Sequence, residues 1–286
     1  MNRIDQCFAQ LKATGRAGLI PFVTAGDPLP EATVPLLHAL VAAGVDLIEI
    51  GVPFSDPMAD GPVIQHANER ALGRGVGLGQ ILDWVRAFRR DDASTPLVLM
   101  GYLNPIEIYG HARFAADAIA AGVDGVLLVD CPLEEDDTAQ AIRDAGLRQI
   151  HLAAPTTAPE RLDHLCRRAE GFLYYVSFAG ITGDRRLSTA DIAQRVAAIR
   201  VASRAPVAVG FGVRDADSAV AIAGYADAVV IGSALVERIA GSADVAEACA
   251  RARAYLEPIR AALDARATAG STRRPAQRAR NQYGRG

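Results

Sequence analysis

Short apolar runs recur along this chain, and amphipathic stretches separate them. Eight runs rich in Val, Ile and Leu lie around residues 18–24, 45–51, 96–102, 123–129, 148–153, 172–177, 206–210 and 227–231. The stretches between them have the apolar spacing of helices that cover a sheet. Strict alternation of strand and helix predicts parallel strands with crossover helices. Eight such units in about 250 residues predict an α/β fold, a single closed (β/α)8 TIM barrel.

The connections from helix to strand share a short sequence motif. Ala-Ala-Gly-Val-Asp occurs at residues 42–46 and again at 120–124, with looser versions at 144–147 and 224–227. A helix commonly closes with one residue in the left-handed conformation, which glycine adopts at little cost. Each copy of this motif therefore predicts the end of a helix followed directly by a strand.

Both ends of the chain differ from the repeating part. Residues 2–14 predict an extra helix that closes the floor of the barrel. Residues 265–286 contain six Arg, no acidic residue and little apolar material, which predicts a disordered, flexible tail. We therefore expect one catalytic domain over residues 1–264 and an Arg-rich tail over 265–286.

An open doubly wound sheet is the alternative fold. A dinucleotide-binding sheet needs Gly-x-Gly-x-x-Gly directly after an early strand, but residues 24–28 there read Thr-Ala-Gly-Asp-Pro. The glycines of residues 73–79 lie between two helical stretches, so a flexible joint is the better interpretation. These observations favour the closed barrel.

Composition narrows the classes of partner. The 286 residues are 50% hydrophobic and carry a net charge of −3 without a basic face, so nucleic acid is not expected as a partner. The start lacks a signal-peptide core and no apolar run is long enough for a membrane span. We expect a cytoplasmic protein with no membrane contact and four reduced cysteines.

The second strand carries the most informative polar residue. Side chains alternate along a strand, so Glu49 shares a face with Val45 and Leu47, whereas Ile48 and Ile50 take the helix-facing side. Glu49 then points into the barrel mouth, where burial should raise its pKa into the range of acid/base catalysis. The alternative is a Glu satisfied by a structural partner, but active sites of such barrels lie at strand ends.

The loop after this strand supplies two aspartates. Its three prolines restrict the available shapes, and Asp60, followed by a glycine, can place an acceptor over the mouth toward Glu49. Two carboxylates in different environments can divide acid, base and orienting roles. Asp56 lies nearer the loop tip, which suits a surface role, and both aspartates are also suited to capping turns.

A phosphate site is predicted on the other side of the mouth. Strand seven ends at residues 209–213, Val-Gly-Phe-Gly-Val, and strand eight at residues 230–234, Val-Ile-Gly-Ser-Ala. Glycines let backbone N–H groups approach a phosphate, and Ser233 can open a helix whose dipole favours an anion. The loop after strand six resembles a lid, and its Gly183 can add one more N–H group.

Other polar residues at strand ends are weaker candidates. Tyr102 and Tyr174 can line the pocket or pack in the core, and Asp130 is a further candidate acid or part of a helix-entry turn. The five histidines have no metal-ligand spacing, so no metal is expected. The sole lysine, Lys12, lies in the leading helix, which excludes a Schiff-base aldolase with its lysine inside the barrel.

Residues 47–65, Leu-Ile-Glu-Ile-Gly-Val-Pro-Phe-Ser-Asp-Pro-Met-Ala-Asp-Gly-Pro-Val-Ile-Gln, closely resemble the signature of the tryptophan synthase α subunit family. Further short motifs fit that family in the same order, at residues 21–28, 100–106, 154–157, 180–183, 210–212 and 232–234. The likeness covers residues 2–264. The long signature is highly specific, whereas the glycine-containing motifs alone fit many phosphate-binding barrels.

The resemblance implies retro-aldol cleavage of indole-3-glycerol phosphate to indole and glyceraldehyde 3-phosphate, without a cofactor. It implies that Glu49 handles the proton passed between indole C3 and the side-chain hydroxyl, and that Asp60 accepts the indole N–H. The other positions that match the family's substrate contacts are Phe22, Tyr174, Thr182, Gly183, Phe211, Gly212, Gly232 and Ser233. Of these, Thr182 matches the threonine of the lid.

Family likeness also implies a partner, the tryptophan synthase β subunit, in an αββα heterotetramer with pyridoxal phosphate on the β subunit. Pro53, Asp56 and Asn104 are the expected interface residues.

Three features depart from the family pattern: a slightly shorter segment after Gly183 with Ser188 in place of proline, Phe178, and the Arg-rich tail. The first puts closure of the lid and its coupling to the β subunit in question.

Other functions remain open at this point. A pentose-phosphate epimerase needs metal-binding His and Asp at strand ends, which this sequence lacks. A stand-alone indole-3-glycerol phosphate lyase would share every catalytic residue and differ only in its coupling to a β subunit. A scaffold that only activates the β subunit would not need both Glu49 and Asp60.

Overall fold

Eight parallel strands close into a barrel in a computed structural model that describes residues 1–131, 136–176, 189–210 and 212–280. The strands pair in sequence order, and the last pairs with the first. They are β1 (Gly18–Thr24), β2 (Ile48–Gly51), β3 (Leu97–Gly101), β4 (Gly125–Leu128), β5 (Arg148–Ala153), β6 (Leu173–Val176), β7 (Val207–Gly210) and β8 (Ala228–Ile231). The predicted (β/α)8 barrel is confirmed.

Helices cover the outside of the barrel. They are α1 (Arg3–Thr14), α2 (Thr33–Ala42), α3 (Pro62–Leu72), α4 (Leu78–Arg89), α5 (Leu103–Tyr109), α6 (His111–Ala121), α7 (Asp136–Asp144), α8 (Pro159–Arg168), α9 (Thr189–Ala202), α10 (Ala216–Ala223), α11 (Ser233–Ile239) and α12 (Val245–Arg280). A short 3₁₀ helix, Pro30–Ala32, precedes α2. Among the described residues, no helix is long and apolar enough to cross a membrane.

The leading helix closes the floor of the barrel, as predicted. On α1 the side chains of Ile4, Phe8 and Leu11 are buried at spacings of three and four residues. They join the inner cluster, which includes Leu47 of the segment before β2 and Phe172 before β6. The interior is therefore packed from below, and access is from the carboxyl ends of the strands.

The repeated motif that connects helix to strand has a structural role in its aspartate as well as in its glycine. The aspartates that precede β2, β4 and β8 each accept the N–H of a residue at the start of the preceding strand. Asp46 bonds Leu19 N, Asp124 bonds Leu97 N and Asp227 bonds Val207 N, each at 2.9 Å. Each carboxylate also pairs with an arginine. The aspartate of this motif thus joins the lower ends of neighbouring strands.

Two local expectations are wrong. The second strand begins at Ile48 and not at residue 45. Before it, the Asp46 carboxylate accepts the N–H of Leu19, and the Asp46 N–H donates to Leu19 O at 3.0 Å. Gly44 and Gly122 have positive φ as predicted, but Gly224 has φ −62° and ends α10 without a left-handed residue.

The last helix extends past residue 264, where the tail was predicted to begin. Its backbone is helical to Arg280, and Leu263 is its last buried residue whose side chain is described. This helix packs against α2, α10 and α11. Burial thus stops near residue 264 although the helical backbone continues.

Candidate active site

Glu49 lies inside the barrel near its open end. It follows the inner residue Leu47 by two positions, whereas Ile48 and Ile50 pack in the outer layer between strands and helices. The alternation of side chains therefore placed Glu49 correctly. Its exposed fraction is 0%, so its carboxyl group is removed from bulk water.

The Glu49 carboxyl group has no protein partner in the described part of the chain. Neither of its oxygens accepts or donates a hydrogen bond there. Burial disfavours the charged form and raises the pKa of Glu49 to about 8. At neutral pH the group is therefore mostly protonated, and it can donate a proton and take one back.

Two aromatic rings border this carboxyl group. Phe22 lies opposite Glu49 in the register of β1 and β2. Tyr174 on β6 packs against the inner cluster, and its own pKa is raised first by burial and then by the charge of Glu49. Tyr174 therefore points into the barrel and packs against its inner cluster, and its contact with a substrate stays a prediction.

Two glycines leave room for these rings. A Cβ atom on Gly51 would overlap the ring of Phe22, and one on Gly210 would overlap the Tyr174 hydroxyl and lie 2.7 Å from its Cζ atom. Neither glycine has positive φ, so the requirement is for space and not for backbone conformation. The strand ends thus admit large rings only because Gly51 and Gly210 lack side chains.

Asp60 is held over the mouth by residues from two other elements. Asn68 on α3 donates from Nδ2 to Asp60 Oδ2 at 3.3 Å. Tyr102, after β3, hydrogen-bonds to the Asp60 carboxylate and accepts the N–H of Ala59 at 3.0 Å. Burial raises the pKa of Asp60, and these two hydrogen bonds oppose that rise.

Asn68 and the hydrogen-bonding role of Tyr102 were not predicted. Burial raises the pKa of Tyr102 to about 12, so its hydroxyl stays protonated and can donate to Asp60. Asn68 is only 3% exposed and stands on the buried face of α3 with Ile64 and Ala71. A polar residue on an apolar helix face was the available signal.

Asp130 has a structural contact. Its Oδ1 atom accepts the backbone N–H of Leu103 at 2.7 Å, at the first residue of α5. A carboxylate at a helix start satisfies a donor that the helix itself cannot. The helix-entry alternative is therefore the one supported, although the helix is α5 and not the one that follows Asp130.

The predicted phosphate residues lie at neighbouring strand ends. Gly210 and Val230 pair between β7 and β8. Gly212 has φ +75°, and Gly232 precedes α11, which begins at Ser233. Inside this helix the first bonded N–H groups are those of residues 235 and 236, both to Gly232 O. The N–H groups of the first turn before them have no acceptor within the helix.

Three predicted site residues and two neighbours of the lid lie outside the described residues. They are Thr182, Gly183 and Phe211, with Phe178 and Ser188 beside the lid. Their positions stay predictions. Within the described residues, no three His, Cys, Asp or Glu side chains form a group that could hold a metal ion.

The expected interface residues occupy one end of the barrel. Pro53 is buried, whereas Asp56 and Asn104 are exposed. Two large apolar residues near them are also exposed, Met58 at 86% and Ile108 at 80%. The elements that carry them follow β2 and β3, which are neighbours. This end therefore presents apolar side chains to solvent, and the sequence alone did not predict their exposure.

Replacing Gly210 with alanine should destabilise the fold through Tyr174. The added Cβ atom overlaps the Tyr174 hydroxyl, and overpacking of this kind costs about 1–3 kcal/mol. Urea denaturation measures the change in the free energy of unfolding. Gly79→Ala is the control, because Gly79 lies in α4 with open space around it. Equal stability of Gly210→Ala and wild type would contradict the contact.

Glu49 should make stability depend on pH. Its folded pKa of about 8 exceeds its ordinary value of 4.5, so the folded state binds this proton more tightly than the unfolded state. The free energy of unfolding should then fall by at most about 1.4 kcal/mol per pH unit between those values as pH rises. Urea denaturation of wild type and Glu49→Gln at several pH values measures the difference. A difference independent of pH would contradict the raised pKa.

Comparison with known proteins assigns the chain to a family. Residues 8–263 match the family model described as tryptophan synthase alpha chain. The tryptophan synthase alpha chains of Xanthomonas euvesicatoria and Xylella fastidiosa are each 60% identical over 266 residues, covering 92% and 93% of this chain and 99% of each relative.

Solved structures agree in fold over the same region. The tryptophan synthase subunit alpha of Legionella pneumophila superposes with a TM-score of 0.86 at 43% identity, covering 92% of this chain and 99% of that one. A tryptophan synthase structure from M. tuberculosis gives 0.81 at 36% identity, with 92% and 100% covered. The match spans nearly the whole length of each relative and includes the segments that carry Glu49 and Asp60. This chain is therefore a member of the tryptophan synthase alpha chain family, a family of lyases.

Proposed function

We propose that this chain catalyses the alpha reaction of tryptophan synthase, cleaving indole-3-glycerol phosphate to indole and glyceraldehyde 3-phosphate, with Glu49 as the proton-transfer residue. The observation that carries the assignment is a fully buried carboxyl group beside Phe22 and Tyr174, whose two oxygens have no partner in the described parts of the chain. A protonated acid in a pocket closed from below suits proton transfer to a carbon atom.

The proposed steps balance with Glu49 acting twice. Protonated Glu49 gives its proton to indole C3, which turns the ring into a cation with its charge on the ring nitrogen. The resulting carboxylate then takes the proton of the hydroxyl group on the adjacent carbon. The bond from that carbon to C3 breaks, its electrons restore the indole ring, and the oxygen becomes the aldehyde of glyceraldehyde 3-phosphate.

Asp60 is the proposed partner of the indole N–H. Its hydrogen bonds from Asn68 and Tyr102 favour the carboxylate against the effect of burial. A negative charge at the ring nitrogen stabilises the cation formed when C3 is protonated. Two carboxyl groups in different environments would thus perform different tasks.

The remaining substrate residues are proposed from their positions. Phe22 and Tyr174 border the indole, and Gly212, Gly232 and Ser233 offer backbone N–H groups to the phosphate. Thr182, Gly183 and Phe211 complete the proposed set from segments outside the described residues. No cofactor is required for the proposed steps, because each proton comes from or returns to the chain.

Glu49→Gln should abolish most indole release while leaving the fold intact. The amide cannot donate a proton as an acid does, and losing a general acid or base typically costs about 100- to 10,000-fold in rate. Indole release by the purified chain measures the effect, and Asp60→Asn should be impaired as well. Glu69→Gln is the matched control, since Glu69 lies exposed on α3. Full activity of Glu49→Gln would remove Glu49 from the mechanism.

We also propose that the chain assembles with a tryptophan synthase β subunit as αββα. The support is the apolar surface of Met58 and Ile108, which lies with the exposed Asp56 and Asn104 at one end of the barrel. Exposed apolar side chains with polar neighbours are typical of docking surfaces. Pyridoxal phosphate would then belong to the β subunit.

Met58→Asp and Ile108→Asp should each weaken binding to the β subunit. A carboxylate at a buried interface position must lose its hydration, which we expect to raise the Kd at least tenfold. Gel filtration and titration with a purified β subunit measure the complex. Val201→Asp is the control, because Val201 is 89% exposed on α9 at the opposite end. A chain that forms no complex yet releases indole quickly would instead be a stand-alone lyase.

We further propose that residues 1–264 form the catalytic domain and that the Arg-rich segment 265–286 is dispensable for the alpha reaction. The support is that the last buried residue of α12 with a described side chain is Leu263. A variant that ends at residue 268 should retain indole release and β binding. Loss of either would give the segment a role in the reaction or the assembly.

A further inference from the structure

A second cavity lies at the end of the barrel opposite the candidate active site. Its volume is about 760 Å³, which is within the range of small-molecule sites. The carboxyl end of α1, the end of α9 and the segments that lead into β1, β7 and β8 surround it. None of the residues proposed for the alpha reaction lines this cavity.

The lining of this cavity is strongly basic. Five cationic side chains line it, and Asp227 is the one acidic residue among the lining residues that the structure describes. The cations are Lys12, Arg16, Arg200, Arg204 and Arg266. Two of them are neutralised, because Arg16 pairs with Asp264 at 2.8 Å and Arg200 pairs with Asp227.

The other three cations have no acidic partner among the residues that the structure describes. Within the described part of the chain, no carboxylate lies within 4.0 Å of Lys12, Arg204 or Arg266, although sixteen other ion pairs are present there. Lys12 is also the sole lysine of the chain. Three unpaired positive charges therefore surround one concave volume.

This arrangement attracts an anion, although all three side chains are exposed and water screens their mutual repulsion. Residues 1–264 have an excess of acidic over basic residues, since all six Arg of the tail lie beyond them. Acidic partners were thus abundant, yet the three cations converge without one, and like charges repel one another. A bound anion would remove that repulsion.

The lining of the cavity adds an apolar requirement. Val201 of α9 and Pro206 before β7 also line it, and neither side chain is buried. Guanidinium groups match the oxygens of a phosphate in geometry as well as charge, and an apolar lining gains from covering an organic body. A phosphate attached to an apolar group fits both features, whereas a bare inorganic ion fits only the first.

We propose that this cavity is a second ligand site, which binds a small phosphorylated organic anion through Lys12, Arg204 and Arg266. It is separate from the phosphate site at the mouth of the barrel, because the two lie at opposite ends of the strands. Its ligand would be a phosphate monoester with an apolar body in contact with Val201 and Pro206.

Calorimetric titration of the full chain with phenyl phosphate tests the proposal. The active site is left open, because a phosphorylated ligand that blocked it would itself belong to the class proposed for the cavity. We expect saturable binding in which one site per chain depends on the cavity residues. The double variant Lys12→Ala/Arg204→Ala should raise the Kd at least tenfold, because it removes two charge-assisted contacts. Arg90→Ala is the control, since Arg90 is exposed after α4 and does not line the cavity.

The variants must also be folded, so indole release is measured for each, and it should equal that of wild type. An unchanged Kd in the double variant, or no saturable binding by wild type, would overturn the proposal. Inorganic phosphate is titrated in the same way and should bind at least tenfold more weakly. Equal affinity for inorganic phosphate and phenyl phosphate would overturn the apolar part of the site.

Discussion

The burial of Glu49 without a hydrogen-bonding partner among the described residues is the constraint on which the rest of this site depends. A carboxyl group in such a place is costly to ionise, and its pKa rises to about 8. A positive charge or a hydrogen-bond donor to its oxygens would lower that pKa and favour an ionised group at neutral pH. The surroundings of Glu49 must therefore be apolar or aromatic and must exclude water.

The architecture meets this constraint from below and from the sides. From below, α1 packs Ile4, Phe8 and Leu11 into the inner cluster, so the interior opens only toward the carboxyl ends of the strands. At the sides, Phe22 and Tyr174 stand close to Glu49 because the glycines at positions 51 and 210 leave space for their rings. Asp60 is kept apart from this apolar region by its own hydrogen bonds to Asn68 and Tyr102.

Patterns along the chain predicted most of this architecture. Eight apolar runs, glycine-closed helices and the alternation around Glu49 depend on neighbours in sequence, so they could be interpreted without coordinates. The contacts of Asp60 could not, because Tyr102 is 42 residues away along the chain and meets the loop only when β2 and β3 pair. The aspartate contacts that join the lower ends of neighbouring strands also link residues far apart along the chain, so the sequence did not predict them.

Exposure was the other property that sequence could not supply. Met58 and Ile108 are ordinary apolar residues in sequence, and only the fold shows that both face solvent at the same end of the barrel. The basic cavity at the opposite end joins residues from α1, α9 and α12, with Lys12 and Arg266 254 positions apart. Its charge emerges only when these elements come together.

The protonation state of Glu49 tests the account most directly. Infrared difference spectroscopy of wild type against Glu49→Gln isolates the carbonyl stretch of this one carboxyl group. The account predicts the band of a protonated acid near neutral pH, lost as pH rises through about 8. An ionised Glu49 at about pH 6, more than one unit above the ordinary pKa of a glutamate, would contradict it.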